Sequence, residues 1–266
     1  MYASRNGVII PKEEAVVPIT SREVQSGFYV YESLRVLGGF VTRINDHLDR
    51  LLASAKGIHL THPFTKELIR LWVDELIKAE HIGDATVRIT LYGGADPVLF
   101  IVPVELLRYP DSYYRDGVKA VTFEGERLFP THKSGGLLLN YVALEEAKRF
   151  GGFEALLVDR NGRVLEGTRS NFFAFSNNTL HTADEDLVLG GITRSEVLRS
   201  ARELGFTIDL NPIYLEDLFA GRFTEVFISA TSMAAMPLHT IDDLRFSAPF
   251  ERTRALHDCV RARQWQ

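Results

Sequence analysis

The segment "THKSGGLLLNYVALEEAKRF", residues 131–150, is the stretch on which the interpretation of the whole chain depends. Lys133 stands just before two glycines and three leucines, so a side chain that prefers water lies at the start of an apolar helix. A partly desolvated lysine loses its proton more easily and can act as a nucleophile that forms a Schiff base. Most lysines near helix starts extend to water instead, so the segment alone leaves both interpretations open.

Composition limits the classes of protein to consider. The chain has 266 residues and a formal net charge of −5, a length sufficient for one large domain or two smaller ones. This mildly acidic balance gives no reason to expect nucleic acid or an anionic membrane as a partner, and no metal site is predicted. The single cysteine, Cys259, indicates a reducing compartment. Charges come too early for a signal peptide and no apolar run could span a membrane, so we expect a cytoplasmic protein.

The first half of the chain predicts a small α/β lobe. Residues 28–36 alternate between apolar and polar side chains, which predicts a strand that continues into a hairpin through the glycine turn at 37–39. Its apolar face carries Val30, Leu34 and Val36, and its polar face carries Tyr29, Tyr31, Ser33 and Arg35. The remaining predicted elements are a helix over 45–58 with Asn45 as its N-cap, a helix over 65–81, and strands over 85–94 and 97–105.

The second half predicts a larger lobe with mixed sheets. A polar, turn-rich stretch places an interdomain linker at 109–117, between an N-terminal lobe over 1–108 and a C-terminal lobe over 118–266. The elements expected there are a strand over 118–123, a helix beginning near Lys133, a hairpin over 154–167 that turns at Asn161-Gly162, strands over 170–182, a helix over 195–206 and a strand over 223–231. The predicted fold class is therefore a two-domain α+β fold.

Three further features have a simple structural interpretation and a functional one. The segment "GGITR" at 190–194 precedes a helix, where backbone N–H groups bind anions, but Thr193 and Glu196 also fit a capping box. Arg50 follows Asp46 by four residues, which favours a surface ion pair. Glu166 follows an apolar strand, and such a carboxylate is usually exposed or paired.

Taken together, the motifs "YESLRV", "HLDRLLASA", "HKS", "LEGTRSNFF", "GGITR" and "TEVFISAT", in this order, are similar to those of class IV aminotransferases. These are the fold-type IV pyridoxal-phosphate (PLP) enzymes. The family includes D-amino-acid aminotransferases, branched-chain aminotransferases, aminodeoxychorismate lyases and (R)-selective amine transaminases. The resemblance extends from about Asn6 to Asp242.

The resemblance implies a role for each matched position. Lys133 matches the Schiff-base lysine, and Glu166 matches the carboxylate that pairs with the pyridine nitrogen. The phosphate is held by the residues that match Arg50, Ile192, Thr193 and Thr231, and the stretch after the glutamate includes Ser170 and Asn171. Tyr31 and Arg88 match residues that face the substrate. Ser33 and Arg35 share the polar strand face of Tyr31 and are expected to face the substrate too, as is Ser232. The family also implies a homodimer whose sites are completed by the neighbouring subunit.

The chain departs from each subgroup of the family. The Asn-Tyr pair that many relatives place shortly after the lysine falls later, at 140–141, so the contact to the PLP phenolic oxygen is open. The Arg-x-His of D-amino-acid aminotransferases is absent after the strand at 85–93, and "YESLR" replaces the branched-chain pattern Phe-Glu-Gly-Ile-Arg. We predict transamination between an amino acid, with D-amino acids favoured, and a 2-oxo acid. The alternatives are an aminodeoxychorismate lyase, a branched-chain aminotransferase, an (R)-amine transaminase, a PLP-binding protein without turnover and a structural or interaction protein.

Arg88 bears on the substrate. It lies mid-strand between Thr86 and Thr90, where we expect a half-buried guanidinium that needs an anionic partner. That partner is either a carboxylate of the protein or a carboxylate of the substrate. The second possibility predicts that carboxylated amino acids are preferred and that simple amines react slowly.

Overall fold

The structure, a computed structural model, describes residues 1–263 and divides into two compact units. The first unit consists of Met1–Leu107 and His132–Leu137; the second consists of Arg108–Thr131 and the described residues from Leu138 onward. Lys133 therefore belongs to the first unit, whereas the sequence analysis placed it in the C-terminal lobe. The chain returns to the first unit for this one short segment.

The first unit contains one six-stranded sheet in the order β2-β1-β6-β5-β3-β4. Its strands are β1 Tyr2–Arg5, β2 Val8–Pro11, β3 Tyr29–Leu37, β4 Phe40–Val41, β5 Ala85–Tyr92 and β6 Val98–Val104. Its helices are α1 Arg22–Gln25, α2 Ile44–Gly57 and α3 Lys66–Ala79, with a short 3₁₀ turn at Lys12–Glu14. The predicted hairpin is confirmed, because Gly38 and Gly39 take φ values of 55° and 82° between the paired strands β3 and β4.

The core of the first unit lies between one face of this sheet and helices α2 and α3. The apolar face of β3 contributes Val30, Leu34 and Val36, as the alternation predicts, and they are fully buried. Thr65 caps α3 by accepting a hydrogen bond from the Leu68 N–H at 3.2 Å. The predicted N-cap Asn45 is wrong: α2 begins one residue earlier, after a left-handed residue with no side-chain cap.

The second unit is built on a ten-stranded sheet whose main path runs β12-β11-β10-β14-β15-β7-β8-β9-β13. Its strands are β7 Val118–Glu124, β8 Glu154–Val158, β9 Arg163–Gly167, β10 Asn171–Ser176, β11 Thr179–His181, β12 Thr207–Asp209, β13 Ile213–Tyr214, β14 Glu225–Ala230, β15 Ala234–Ile241 and β16 Leu244–Arg245. Its helices are α4 Asp111–Asp116, α5 Leu138–Arg149, α6 Ile192–Glu203, α7 Leu215–Phe219 and α8 Glu251–Ala262. An additional pairing of β9 with β10, between Glu166 and Asn171, closes strands β10-β14-β15-β7-β8-β9 into a ring.

The stretch predicted to be a linker folds as part of the second unit. It contains helix α4, and its aromatic residues pack on Phe153, with ring centroids 5.3 Å away for Tyr109 and 5.7 Å for Tyr113. The polar, turn-rich composition suggested a linker because the partner ring lies some forty residues later in the sequence. None of the helices within residues 1–263 combines the length and apolar character needed to cross a membrane.

Candidate active site

The backbone of Lys133 is fixed on both sides. Its N–H donates to the Ser54 hydroxyl of α2 at 3.0 Å, and its carbonyl accepts from the Tyr31 N–H of β3 at 3.0 Å. The next link along the segment runs from the Gly135 N–H to the Tyr29 carbonyl at 2.7 Å. Lys133 therefore lies in an extended segment along β3, and the predicted helix start at this residue is wrong, since α5 begins only at Leu138.

Gly135, which follows Ser134, lies where there is no room for a side chain. A Cβ on Gly135 would lie 1.9 Å from the Gly27 carbonyl oxygen, a distance that no side chain could adopt without moving backbone. Gly57, at the end of α2, is similar, because a Cβ there would lie 2.1 Å from the Nε2 atom of His132. These close approaches explain how a chain segment with Lys133 fits against β3 and α2.

The Lys133 side chain lies over an aromatic ring of the strand beside it. Its Nζ atom is 4.6 Å from the centroid of the Tyr31 ring, and the Cζ atom of Arg88 is 5.1 Å from the same centroid. Arg88 pairs in register with Ser33 of β3. The three side chains therefore form a group that we name the lysine cluster: Tyr31, Arg88 and Lys133.

The environment of Arg88 differs from the expectation. Its side chain is exposed, so the argument that a half-buried guanidinium needs an anionic partner does not hold. Arg35, the other candidate arginine, lies on β3 and is buried, with 8% of its surface exposed. Ser33 of the same strand is partly buried. Arg88 is thus the arginine of this group that is open to solvent in the first unit.

Arg50 does not pair with Asp46. Its Nε and a terminal nitrogen contact the two carboxylate oxygens of Glu32 at 2.7 and 2.8 Å, while Asp46 pairs with Arg43 at 2.6 Å. The predicted surface ion pair is wrong because Glu32, on the buried face of β3, provides a carboxylate that a guanidinium can contact at two points. His47 completes this cluster through its Nδ1 atom, 2.7 Å from Glu32.

Burial and charge act in opposite directions on Glu32. Burial alone would raise the pKa of this carboxyl, but the Arg50 charge and the hydrogen bonds from Arg50 and His47 lower the pKa to about 2. Glu32 is therefore ionised throughout the neutral range.

In the second unit, Glu166 is buried and paired. One carboxylate oxygen lies 3.1 Å from a terminal nitrogen of Arg127, and the other accepts from the Leu189 N–H at 3.2 Å. Only 5% of the surface of Glu166 is exposed. A strand-end carboxylate is expected to be either exposed or paired, and Glu166 is paired. The arrangement presents a negative charge that is fixed by one guanidinium and one backbone donor.

The turn before α6 is attached to the same strands. The Asn171 amide donates to the Leu189 carbonyl at 2.9 Å, and a Cβ on Gly191 would lie 2.1 Å from the Asn171 Oδ1 atom. Gly191 is the N-cap of α6 and has no side chain with which to cap the helix. The predicted capping box is wrong because Thr193 already lies inside the helix. The first-turn N–H groups thus have no side-chain cap and carry the positive end of the helix dipole.

A second buried carboxylate fixes the loop between Glu166 and Asn171. Glu154 has no exposed surface and accepts hydrogen bonds from the Thr168 hydroxyl, the Thr168 N–H at 3.2 Å and the Ser170 hydroxyl at 2.9 Å. Ser170 therefore contacts Glu154, which gives this residue a local structural function.

The other predicted positions of the second unit lie at the end of a strand or at the start of a helix. Thr231 and Ser232 follow β14 and are partly buried, and the Ser232 hydroxyl lies 3.4 Å from that of Tyr109. Of the later Asn-Tyr pair, Asn140 donates to the Thr168 carbonyl at 2.6 Å, and Tyr141 is exposed. Ile192 is the first residue of α6.

Sequence reasoning missed several residues that hold the predicted ones in place: Glu32, His47, Ser54, Arg127 and Glu154. A signal existed for two of them. Glu32 falls on the apolar face of an alternating strand, and Glu154 begins a strand that is otherwise wholly apolar; buried carboxylates at such positions require partners. The partners of Arg127 and Ser54 are distant in sequence, and no local pattern indicates them.

Comparison with known proteins defines the class to which these residues belong. The model of the family described as amino-transferase class IV matches residues 29–241. A putative branched-chain-amino-acid aminotransferase of Methanocaldococcus jannaschii is 30% identical over 89% of this chain and 86% of its own length. A D-alanine aminotransferase of Bacillus licheniformis is 28% identical over 89% of this chain and 87% of its own.

A solved structure agrees with these relatives. The branched-chain aminotransferase from Thermoproteus uzoniensis, determined with norvaline, superposes with a TM-score of 0.90 at 27% identity, over 100% of this chain and 95% of that one. The chain belongs to the class IV aminotransferase family. The predicted family, the α+β fold, the transaminase class and the PLP cofactor are thereby confirmed.

Proposed function

We propose that this transaminase moves an amino group between an α-amino acid, with D-amino acids preferred, and a 2-oxo acid, and that Lys133 is the residue that bonds to the PLP aldehyde. The observation that carries the proposal is the two-sided fixation of the Lys133 backbone by Ser54 and Tyr31. Fixing both backbone groups limits the positions of the Nζ atom, and a preorganised nucleophile lowers the cost of reaching the reactive geometry.

The residues of the chain fit PLP. Arg50 offers a positive charge for the phosphate, and the uncapped first turn of α6, at Ile192 and Thr193, offers backbone N–H donors. Glu166, a buried carboxylate paired with Arg127, is suited to a protonated ring nitrogen. When bound, PLP supplies an electron sink that stabilises negative charge at the substrate Cα.

Each residue then has a defined task. We assign to the Lys133 Nζ atom the movement of the proton at the substrate Cα, since it is the amine that matches the family motif. Glu166 holds the proton on the ring nitrogen. Thr231 adds a hydroxyl for the phosphate, and Ser232 lies beside it near the substrate.

The lysine cluster supports an amino acid as the substrate. Arg88 is exposed and lies over the same Tyr31 ring as the Lys133 amine, so a guanidinium fork is available for the carboxylate of a substrate. A simple amine has no carboxylate for Arg88 to bind. This favours carboxylated donors over (R)-amines.

Handedness divides two candidate functions. Similarity to the D-alanine aminotransferase of Bacillus licheniformis supports D-amino acids. Similarity to the putative branched-chain aminotransferase of Methanocaldococcus jannaschii supports branched-chain amino acids, and we take their L-forms as the second candidate. The absence of the Arg-x-His motif counts against assigning the chain to the D-amino-acid subgroup on motifs alone.

The experiment is a panel of D-amino acids, L-amino acids and (R)-amines, each assayed with 2-oxoglutarate and with pyruvate. We expect acceptor-dependent transfer, fastest with D-amino acids. Fastest transfer from L-valine or L-leucine would replace the D-amino-acid proposal by the branched-chain one. Pyruvate release from aminodeoxychorismate without an acceptor would overturn both in favour of the lyase.

We further propose a homodimer in the cytoplasm. The second unit exposes large apolar side chains that a second copy could cover, among them Leu128, Leu138 and Tyr141. The single cysteine agrees with a reducing compartment. Analytical ultracentrifugation tests the dimer, and fractionation of cells tests the compartment.

A further inference from the structure

A carboxylate lies on the buried face of β3 where the pattern calls for an apolar residue. Glu32 stands between Val30 and Leu34 on that face, and none of its surface is exposed. Burying a charge is expensive unless it is paired and hydrogen-bonded, and replacing such a pair by apolar residues is often neutral or stabilising. The position of Glu32 is thus poorly explained by stability alone.

The contacts of Glu32 fix the orientation of the Arg50 guanidinium. The Nε atom and a terminal nitrogen of Arg50 contact the two carboxylate oxygens at 2.7 and 2.8 Å, and the His47 Nδ1 atom lies 2.7 Å from the second oxygen. A planar guanidinium held at two points by a planar carboxylate loses its freedom to rotate. His47 in turn fixes the carboxylate, because it occupies a lone pair outside the guanidinium pair.

Arg50 is the member of this cluster that solvent reaches. Its side chain is 15% exposed, whereas those of Glu32 and His47 are 0% and 1% exposed. An anion that approaches the cluster therefore meets the guanidinium and not the carboxylate. One helical turn further along α2, Ser54 holds the Lys133 N–H, so the same helix carries the Arg50 and Lys133 contacts.

We propose that Glu32 is a positioning residue that orients the Arg50 guanidinium toward the phosphate of PLP. The inference rests on the proposed role of Arg50 in holding that phosphate. Glu32 itself contacts neither the phosphate nor the substrate; it acts through the two-point contact with Arg50. Its loss therefore weakens binding of ligands that carry the phosphate and spares those that lack it.

The test compares PLP with pyridoxal, which has the same aldehyde and ring but no phosphate. Cofactor-depleted protein is titrated with each compound, and the absorbance of the lysine adduct gives two dissociation constants and their ratio. In Glu32→Gln we expect the preference for PLP over pyridoxal to fall by about tenfold or more, with pyridoxal affinity unchanged within about twofold. Glu32→Asp keeps the charge but shortens the reach, and we expect an intermediate ratio.

Glu225→Gln is the matched control. Glu225 is also buried, with 8% of its surface exposed, and it accepts hydrogen bonds from Arg252 and Thr253 in the second unit. The control separates a general effect of losing a buried carboxylate from a specific effect on Arg50, because we expect its ratio to match that of the wild type. If Glu32→Gln does not fold, Glu32→Asp carries the test by the same ratio.

The outcomes separate this inference from the proposed function. Wild-type protein that prefers PLP, together with Glu32 variants that prefer it to the same degree, would overturn the positioning role alone. An equal fall in Glu225→Gln would also overturn it. Wild-type protein that forms no lysine adduct with PLP would overturn the proposed function, and this inference with it.

Discussion

Lys133 in the first unit and Glu166 in the second are held in different ways. Lys133 is a partly buried lysine whose backbone is held by hydrogen bonds to Ser54 and Tyr31, and Tyr31 precedes Glu32 of the buried ion pair with Arg50. Glu166 is a buried carboxylate whose side chain itself is clamped, by Arg127 and by the Leu189 N–H. At Lys133 the backbone is fixed and the long side chain can still move. At Glu166 the charged group itself is fixed.

The difference follows from the two tasks. An amine that bonds to a cofactor and then moves a proton needs a mobile side chain on a rigid backbone. A carboxylate that stabilises one charge needs a fixed position, and preorganised charges act most strongly where they do not have to reorient. Substitutions in the two units test this division, and the largest effect is expected at Glu166.

Changing Glu166 tests the fixed charge. Glu166→Gln keeps the shape and loses the charge opposite Arg127, so we expect turnover to fall by about 10²–10³-fold while PLP stays bound. Single-turnover kinetics and the absorbance of the cofactor measure the two effects separately. Glu126→Gln, at an exposed carboxylate of the same unit, is the control, and near-normal turnover in Glu166→Gln would make that carboxylate purely structural.

Changing Glu154 tests the loop beside it. Glu154→Ala leaves the Thr168 and Ser170 donors without their buried acceptor, so we expect a loss of about 3 kcal/mol or more in the free energy of unfolding. Urea denaturation measures it. Glu145→Ala, an exposed helix position paired with Lys148, should change stability by only about 0.5 kcal/mol. Similar losses in the two variants would contradict the account of this loop.

Acid tests the buried ion pair of the first unit. The folded-state pKa of Glu32, about 2, is below the ordinary value of 4.5. The ionised carboxylate therefore contributes fully to the free energy of unfolding above about pH 4.5, and this contribution is lost as the pH falls toward 2. From pH 6 to pH 3 that loss amounts to about 2 kcal/mol. Urea unfolding of the wild type and of Glu32→Gln at both pH values measures the difference in their free energies of unfolding. We expect this difference to be smaller at pH 3 by the same amount. A gap independent of pH would contradict the assignment.

Changing Arg88 tests the lysine cluster, with the smallest effect. In Arg88→Ala we expect KM for 2-oxoglutarate to rise by about tenfold, since a charge-assisted contact contributes ~1.5–3 kcal/mol, and PLP binding to stay intact. Steady-state kinetics with 2-oxoglutarate and with pyruvate measure KM for each acceptor. Arg70→Ala, at an exposed position of α3, is the control. An unchanged KM in Arg88→Ala would remove Arg88 from the substrate site.

The sequence supported the motif residues better than their surroundings. Lys133, Glu166 and the turn before α6 stood out because a charge or paired glycines interrupted an apolar pattern. The hairpin at Gly38-Gly39 was predictable for the same local reason. Local signals of this kind need no knowledge of the fold.

The errors arose where partners are distant in sequence. Arg50 was paired with Asp46 on helical spacing, but its partner is Glu32 on another element. The capping box failed because Gly191 is the N-cap of α6, so Thr193 is already the second residue of the helix. Arg88 was expected to be half-buried because it lies mid-strand, yet its side of the strand is open in the first unit. Tertiary contacts decided each of these cases.

The central claim is that Lys133 bonds to the PLP aldehyde. Borohydride reduction of the purified protein makes the lysine–cofactor bond permanent, and peptide mapping then locates the pyridoxyl group. We expect a single label on Lys133 and none on any lysine of a Lys133→Ala variant, which still binds PLP through the groups that hold its phosphate. A pyridoxyl group on any other lysine of the wild-type protein would contradict it.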